Sequence, residues 1–120
     1  MHELSIAQSI LDIVRESVSP RELPGVRVVK LRVGDLAGVV PDSLDFSFAV
    51  LTTYTPLRNA KLHIDHIPFA VMCNSCRKSF TNEIGFVLCP TCGGVDTKIL
   101  SGLELQVVEI ELEDIRAEAP

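Results

Sequence analysis

The first part of the chain has the spacing of an amphipathic helix. Its apolar residues recur at steps of three and four, at Leu4, Ala7, Leu11, Val14 and Val18. Polar and charged side chains fall on the opposite side, so one face can pack on a core while the other stays in water. Ser5 followed by Gln8 fits a capping box. This motif predicts that the helix starts near Ser5 and leaves residues 1–3 at or just outside its first turn.

Three later segments alternate between apolar and polar residues, which is typical of strands. They cover residues 26–33, 60–67 and 103–112. In the first of them, the alternation of apolar and polar residues is interrupted once near Val29. Residues 44–55 fit both a strand and a helical stripe, but Pro41 suits the first turn of a helix and favours that interpretation. The sequence therefore predicts an α/β (α+β) fold, with two helices packed on a small three-stranded sheet.

All four cysteines lie close together in the sequence, between the second and third predicted strands. They form two C-x2-C pairs, Cys73 with Cys76 and Cys89 with Cys92. Four thiolates at this spacing can surround one tetrahedral Zn(II) and leave no open coordination position, so the site is expected to be structural. Two local disulfides, iron in the same sulfur geometry and a redox dithiol are the alternatives.

The cysteine segment has the features of an inserted domain. We expect residues 69–100 to form a ribbon-like zinc-binding domain within an α/β domain made of residues 1–68 and 101–120. The segment is too small to be held by apolar burial alone, so its fold should depend on the metal. Its phenylalanines, Phe69, Phe80 and Phe86, are expected to fill a small core.

The histidine at position 2 has unusual chemistry if Met1 keeps a free amine. The amine, the amide and imidazole nitrogens of His2, and the amide nitrogen of Glu3 can form a square plane, which suits Ni(II) or Cu(II). A solvated terminal residue is the alternative interpretation. His63 and His66 should point to opposite faces of a strand and make a poor joint site. We interpret them as structural, with His63 as an accessory candidate.

Composition narrows the possible functions. A chain of 120 residues and 13.1 kDa, 47% hydrophobic, has enough apolar surface for one core. Its net charge of −5 argues against nucleic acid as a partner, because phosphate binding needs clustered Lys and Arg. The acidic residues from Glu104 to Glu118 are interpreted as a solvated strand face, with a basic partner as the alternative. Without a secretory leader or a long apolar run, we expect a cytoplasmic protein that does not bind membranes.

Taken together, these motifs resemble the HypA/HybF family of nickel chaperones for hydrogenase maturation. The resemblance covers nearly the whole chain and rests on MHELSIA, VGDLAGVVPDSLDFSF, the two C-x2-C pairs, CPTCGG and SGLELQVVEIE. It implies a nickel-binding α/β domain with an inserted zinc domain. It also implies an accessory factor rather than an enzyme, one that delivers Ni(II) for maturation of [NiFe]-hydrogenase and, in some organisms, of urease.

The resemblance also assigns residues and partners. It implies nickel ligation by Met1, His2 and Glu3, with His2 as the principal ligand. It implies zinc ligation by Cys73, Cys76, Cys89 and Cys92. The implied partners are a nickel-handling GTPase and the precursor of the hydrogenase large subunit, and we expect a monomer or weak homodimer. A zinc-ribbon interaction adaptor that never transfers nickel is the alternative function.

Overall fold

The structure is a computed structural model that describes residues 2–113. Its helices are α1 (Glu3–Ser17), α2 (Pro41–Thr52) and a short 3-10 helix (Pro20–Gly25). Its strands are β1 (Val26–Gly34), β2 (Lys61–Ile67), β3 (Ala70–Cys73), β4 (Ser79–Thr81), β5 (Thr97–Ser101) and β6 (Leu105–Leu112). Met1 and the end of the acidic segment, residues 114–120, lie outside the described residues.

The strands form two three-stranded sheets. The first has the order β2-β1-β6 and the second the order β4-β3-β5. In the first sheet, Gly34 donates to the carbonyl of Glu104 and Glu113 donates to that of Gly25, so β6 runs antiparallel to β1. In the second, β3 pairs antiparallel with both neighbours. The predicted mixed fold, with two helices and a small three-stranded sheet, is confirmed.

The start of α1 differs from the prediction. The helix begins at Glu3 with His2 as its N-cap, and the first helical hydrogen bond runs from the amide of Ile6 to the carbonyl of His2. The capping box predicted at Ser5 and Gln8 is absent, because the Gln8 side chain donates to Asp12. The prediction was wrong by two residues because a helix can start without a side-chain cap.

A capping box does occur in the segment between α1 and β1. The backbone amide and hydroxyl of Ser19 both donate to the carboxylate of Glu22, at 3.2 and 2.9 Å. With Pro20 in the first turn, this pair starts the 3-10 helix. The prolines that end α1 therefore also begin a short ordered turn before β1.

The residues form two compact units. Of the described residues, 2–31, 39–64 and 107–113 belong to the first unit, while Arg32–Gly38 and Asp65–Gln106 belong to the second. The second unit therefore contains the whole cysteine segment and extends beyond residues 69–100 on both sides.

The first unit has an apolar core built mainly by its two helices and β1. The buried residues share an inward position on these elements or on the turn before β2: Ile6, Ala7, Ile10, Leu11, Val14, Val26, Val29, Leu31, Leu44, Phe48, Leu57 and Ala60. Helix α1 packs on α2. Thr52 is the one buried polar residue among those described, and its hydroxyl donates to the carbonyl of Phe48. Burial of this size can stabilise the unit without a metal.

Acidic residues near the C-terminus pair with basic residues of β1. The Lys30 ammonium lies 3.0 Å from Glu109 and 3.9 Å from Glu111, and Arg27 pairs with Glu113. These carboxylates are partly exposed, as the interpretation of a solvated strand face requires, but they also face cations of their own chain. Glu109, Glu111 and Glu113 are therefore paired within the chain itself.

The second unit has a much smaller apolar core. Val33, Phe69 and Val71 are buried together with Cys73 and Cys89. Phe80 is half-buried, whereas Phe86 is 44% exposed, so the expectation that Phe86 fills the core was wrong. The loop that carries Phe86 is held instead by Asn82, whose side-chain oxygen accepts the amides of Ile84 and Phe86.

Two glycines allow backbones to approach closely within the second unit. A Cβ atom on Gly34 would lie 2.0 Å from the carbonyl carbon of Gly102. Gly102 has φ +111°, and a Cβ atom there would lie 2.4 Å from the Cα of Phe69. A larger residue at either position would push backbone against backbone.

Candidate metal sites

The four cysteine sulfurs converge on one point in the second unit. All four lie within 4.8 Å of one another. Two contacts cross between the pairs: Cys73 Sγ lies 3.6 Å from Cys92 Sγ, and Cys76 Sγ lies 3.6 Å from Cys89 Sγ. All four are free cysteines. The two C-x2-C pairs therefore contribute jointly to one cluster.

The two pairs sit on turns with the same hydrogen bond. The amide of Arg77 donates to the carbonyl of Cys73, and the amide of Gly93 donates to that of Cys89, at 2.9 and 2.8 Å. The donor residue is left-handed in both turns, with φ +64° at Arg77 and +72° at Gly93. Glycine accepts this conformation without strain, whereas Arg77 adopts it at a cost. Gly93 is a residue type that favours such a turn, whereas Arg77 is not.

Hydrogen bonds within the cluster give its thiols different pKa values. Backbone hydrogen bonding from Cys76 lowers the pKa of Cys73, and that from Cys92 lowers the pKa of Cys89 to about 6. The backbone of Gly94 lowers the pKa of Cys92, but the neighbouring thiols of Cys73 and Cys89 outweigh it and raise the value to about 11. The lowered pKa of Cys89 favours its thiolate, the form that binds metals.

The arrangement fits a structural zinc site. Four cysteine sulfurs form the tetrahedral donor set that Zn(II) takes in closed sites, with no position left for a substrate. Cys73 and Cys89 are buried, Cys76 is half-buried and only Cys92 is exposed. A cation would also balance the negative charge of the thiolates. The cluster predicted from the cysteine spacing is confirmed as a geometric arrangement.

The second candidate site lies at the start of α1. His2 is exposed and Glu3 is half-buried. The carboxylate of Glu3 accepts a hydrogen bond of 3.3 Å from the amide of Val40, the N-cap of α2. This bond ties the starts of the two helices together. Met1, the remaining predicted nickel ligand, lies outside the described residues.

An open groove surrounds these terminal residues. Its volume is about 470 Å³. It is lined by His2, Glu3 and Leu4 from the N-terminus and by Asp42, Ser43, Phe46 and Ser47 from α2. Asp42 places a second carboxylate in the groove, and the sequence analysis did not find it. Asp42 could have been recognised from its position in the first turn of a helix, where the helix dipole stabilises an acidic side chain.

The other histidines do not join either site. His63 and His66 are both exposed on β2, and neither lines the groove around His2. The Nδ1 atom of His66 lies 3.9 Å from a carboxylate oxygen of Asp35. The structure therefore brings His2 together with Glu3 and Asp42, and the four cysteines with one another.

A small α+β protein with a closed four-cysteine cluster and an exposed N-terminal histidine belongs to the class of metal-handling proteins. The family model described as hydrogenase/urease nickel incorporation, metallochaperone, HypA, matches residues 1–112. The chain is 42% identical to the hydrogenase maturation factor HypA of Geobacter metallireducens, across 94% of this chain and 100% of that protein. It is 38% identical to the protein of the same name from Roseiflexus sp., across 99% and 98%. The chain belongs to the HypA family.

Solved structures share this fold. The solution structure of the Ni metallochaperone HypA from Helicobacter pylori matches with a TM-score of 0.64 and 19% identity, covering 93% of this chain and 97% of that one. A second solution structure of a HypA protein matches with a TM-score of 0.67 and 19% identity, covering 94% and 97%. At this identity the likeness is evidence for the fold.

Proposed function

We propose that this protein is a nickel metallochaperone, which binds Ni(II) at its N-terminus and delivers it for maturation of [NiFe]-hydrogenase or urease. Membership of the HypA family supports the role in maturation. The observation that carries the proposal in this chain is the exposed imidazole of His2 in an open groove with two carboxylates, Glu3 and Asp42.

The proposed donors are mostly nitrogen atoms at the end of the chain. The first amides of a helix have no partner within it, and Glu3 is the first residue of α1, so the helix does not use its amide nitrogen. That nitrogen, the amide and imidazole of His2, and the amine of Met1 complete a square plane suited to Ni(II). The carboxylate of Glu3 already holds Val40. We therefore assign the amide of Glu3, rather than its carboxylate, to the metal.

The openness of the groove supports transfer rather than storage. An exposed ion can be reached by the ligands of an acceptor before it has left its first site. Asp42 lies in the same groove and can approach the ion with an oxygen atom. The proposed recipient is the precursor of the hydrogenase large subunit, with a nickel-handling GTPase as a second partner. We assign the chain no catalysis of its own and place it in the cytoplasm, as a monomer or weak homodimer.

The four cysteines are proposed to hold zinc permanently. Cys73, Cys76, Cys89 and Cys92 would provide all four ligands, and the ion would fasten the two turns together. We retain residues 69–100 as the proposed zinc-binding domain and residues 1–68 with 101–120 as the nickel-binding domain. Among residues 2–113, no helix has the length and hydropathy needed to cross a membrane.

Nickel titration of the untagged protein tests the proposal. We expect about one Ni(II) per chain by isothermal titration calorimetry, and a loss of affinity of at least about a hundredfold in His2→Ala, because a ligand is removed. His66→Ala is the matched control, since it removes an exposed histidine outside the groove. Unchanged nickel affinity in His2→Ala would refute the site, and a wild-type protein that binds no nickel would favour the adaptor function.

An N-terminal extension tests the role of the amine separately. Adding two glycines before Met1 replaces the amine by an amide but leaves the His2 side chain in place. We expect nickel affinity to fall while zinc content and thermal stability stay the same. If the extended protein binds nickel as tightly as the native one, the amine is not a ligand.

A further inference from the structure

The four cysteines of the cluster differ in their exposure to solvent. Cys73 and Cys89 are buried and Cys76 is half-buried, whereas Cys92 is exposed. A closed zinc site offers no open coordination position, so a reagent from solvent attacks it through a sulfur ligand that it can reach. Among the four cysteines, Cys92 is therefore the one most open to modification.

A glycine borders the cluster beside Cys92. A Cβ atom on Gly94 would lie 3.2 Å from Cys92 Sγ and 3.4 Å from Cys73 Sγ. Even the smallest side chain at this position would therefore contact both sulfurs, and Gly94 places no side-chain atom over them. The same two sulfurs lie 3.6 Å apart. A reagent that reacts with Cys92 thus does so directly beside a second sulfur, that of Cys73.

We propose that Cys92 is a site of oxidation by hydroperoxides, and that its oxidation leads to a disulfide with Cys73 and to release of the zinc ion. In the first step, the Cys92 thiolate attacks one oxygen of hydrogen peroxide, the O–O bond breaks and hydroxide leaves, so Cys92 becomes a sulfenic acid. In the second step, the Cys73 thiolate attacks the Cys92 sulfur and expels a second hydroxide. Each thiolate loses one electron, and the peroxide is reduced to two hydroxides.

The ligand role of Cys92 makes the first step favourable. A thiol that ligates zinc is deprotonated, so Cys92 is a nucleophile while it holds the ion. The disulfide then removes two of the four ligands, and Cys76 with Cys89 alone cannot close the tetrahedron. A thiol reductant can restore both ligands, so the loss is reversible. This inference rests on the proposed zinc site.

Oxidation of the cluster should affect the two units differently. The apolar core of the second unit consists of Val33, Phe69 and Val71, so this unit should unfold when its metal leaves. The first unit has its own larger core and contains the groove around His2. Peroxide is therefore expected to disable the second unit while the proposed nickel site persists.

Zinc release in peroxide is the first test. Untagged protein that carries about one zinc per chain is treated with hydrogen peroxide, and the freed ion is measured with a chromogenic zinc chelator. We expect about two thiols to be lost for each zinc released, and amide hydrogen exchange to rise in the second unit only. Protein that keeps its zinc in excess peroxide would overturn the oxidation alone. Protein that binds no zinc at all would overturn the zinc site as well.

Peptide mapping identifies the disulfide. Trypsin cleaves between the two C-x2-C pairs, after Arg77, so a disulfide between Cys73 and Cys92 joins two peptides. A disulfide within either pair joins none. In oxidised protein that is alkylated before digestion, we expect the joined peptides to carry alkyl groups on Cys76 and Cys89. A disulfide within one pair, or one between Cys76 and Cys89, would overturn the assignment.

Histidine substitutions identify the cysteine that is attacked. Cys92→His removes the exposed thiolate but keeps a zinc donor, because three cysteines and one histidine also form structural zinc sites. In peroxide it should release zinc at least about tenfold more slowly than the wild type. Cys76→His is the matched control, and its rate should stay close to that of the wild type. Equal rates for Cys92→His and the wild type, or resistance of Cys76→His alone, would overturn the role of Cys92.

Gly94→Ala tests the same role with all four ligands in place. Its methyl group would contact the sulfurs of Cys92 and Cys73 and should slow zinc release in peroxide about threefold or more. Val95→Ala is the control, since it shortens a side chain that is 79% exposed at the next position. Zinc content is measured first for each variant. A Gly94→Ala protein that holds zinc and loses it in peroxide as fast as Val95→Ala would contradict attack at Cys92.

Discussion

The two candidate metal sites of this protein differ in where their donors come from. At the cysteine cluster, four side-chain sulfurs lie within 4.8 Å of one another on two hydrogen-bonded turns. At the N-terminus, one exposed imidazole borders an open groove, and the other proposed donors are main-chain nitrogens. A closed set of thiolates suits an ion that stays, whereas an open and partly main-chain set suits an ion that must leave. The exposure of the ion to an acceptor, more than the number of its donors, distinguishes a structural site from a transfer site.

The two compact units differ in the size of their apolar cores. The first unit buries apolar residues from two helices and a strand, whereas the second buries only Val33, Phe69 and Val71 beside two of its cysteines. A core of three apolar residues contributes little against the entropy of ordering the chain. We therefore expect the second unit to depend on its metal and the first to fold on apolar burial.

The largest effect is expected for loss of a cysteine ligand. Cys89→Ser should abolish zinc binding and unfold the second unit, because structural zinc contributes about 10–16 kcal/mol to folding in small zinc domains. Helix α1 and α2 should persist. Zinc content by mass spectrometry and amide hydrogen exchange, read separately for the two units, measure both effects.

Ser79→Ala is the matched control for this change, because it alters an exposed residue of β4 outside the cluster. It should keep one zinc per chain. A Cys89→Ser protein that holds zinc as firmly as the wild type would show that the cluster is not the zinc site. Loss of both units together would show that they do not fold independently.

A cavity in the first unit should have the next largest effect. Leu44 on α2 is fully buried, so Leu44→Ala should lower the free energy of unfolding by about 2–5 kcal/mol. Zinc content should not change, because the core that is damaged belongs to the first unit. Urea denaturation followed by circular dichroism gives the stability. Leu4→Ala, at a position that is 55% exposed, should cost less than about 0.5 kcal/mol. Equal costs for the two variants would contradict the assigned core.

The sequence predicted those features that depend on local spacing. The periodicity of apolar residues identified α1, α2 and the three strands of the first sheet, because each pattern reflects one element with one buried face. The two C-x2-C pairs predicted the cysteine cluster for a similar reason. The start of α1 was missed because the Ser5–Gln8 motif requires one side-chain geometry, and Gln8 adopts another.

Features that depend on tertiary packing could not be predicted. Asp42 lies forty positions from His2 and reaches the same groove only because α2 packs on α1. The bond from Val40 to Glu3 has the same origin. Arg77 adopts a left-handed conformation that its side chain does not favour, and the closing of the first cysteine turn accounts for it. The hydrophobic pattern contains no information on any of these.

A smaller effect is expected at the proposed nickel site, from Glu3→Ala. Removing the bond to Val40 and an acidic residue from the first turn of α1 should cost about 1 kcal/mol. Nickel affinity should change by less than about threefold if the amide of Glu3 is the donor. A large loss of nickel affinity would instead make the carboxylate a ligand. Glu16→Ala, on the exposed side of the same helix, controls for the loss of a negative charge.

The smallest effect depends on pH and concerns Asp45 on α2. Its pKa is raised above the ordinary value of 3.8 by burial and by Asp42, so the folded state holds the proton more tightly than the unfolded state. Ionisation then costs the folded protein stability. The cost is absent well below pH 3.8, grows as pH rises from there to the folded pKa and is fully present above the folded pKa.

Asp45→Asn should therefore be slightly more stable than the wild type at neutral pH, by less than about 0.5 kcal/mol because solvent screens the site. The advantage should vanish as pH falls well below 3.8. Urea denaturation of both proteins across this range measures the difference, and Glu16→Gln should show no comparable trend. If Asp45→Asn is instead less stable at neutral pH, the carboxylate contributes a favourable contact, with Lys61 as the nearest candidate, and the first unit is stabilised by charge as well as by apolar burial.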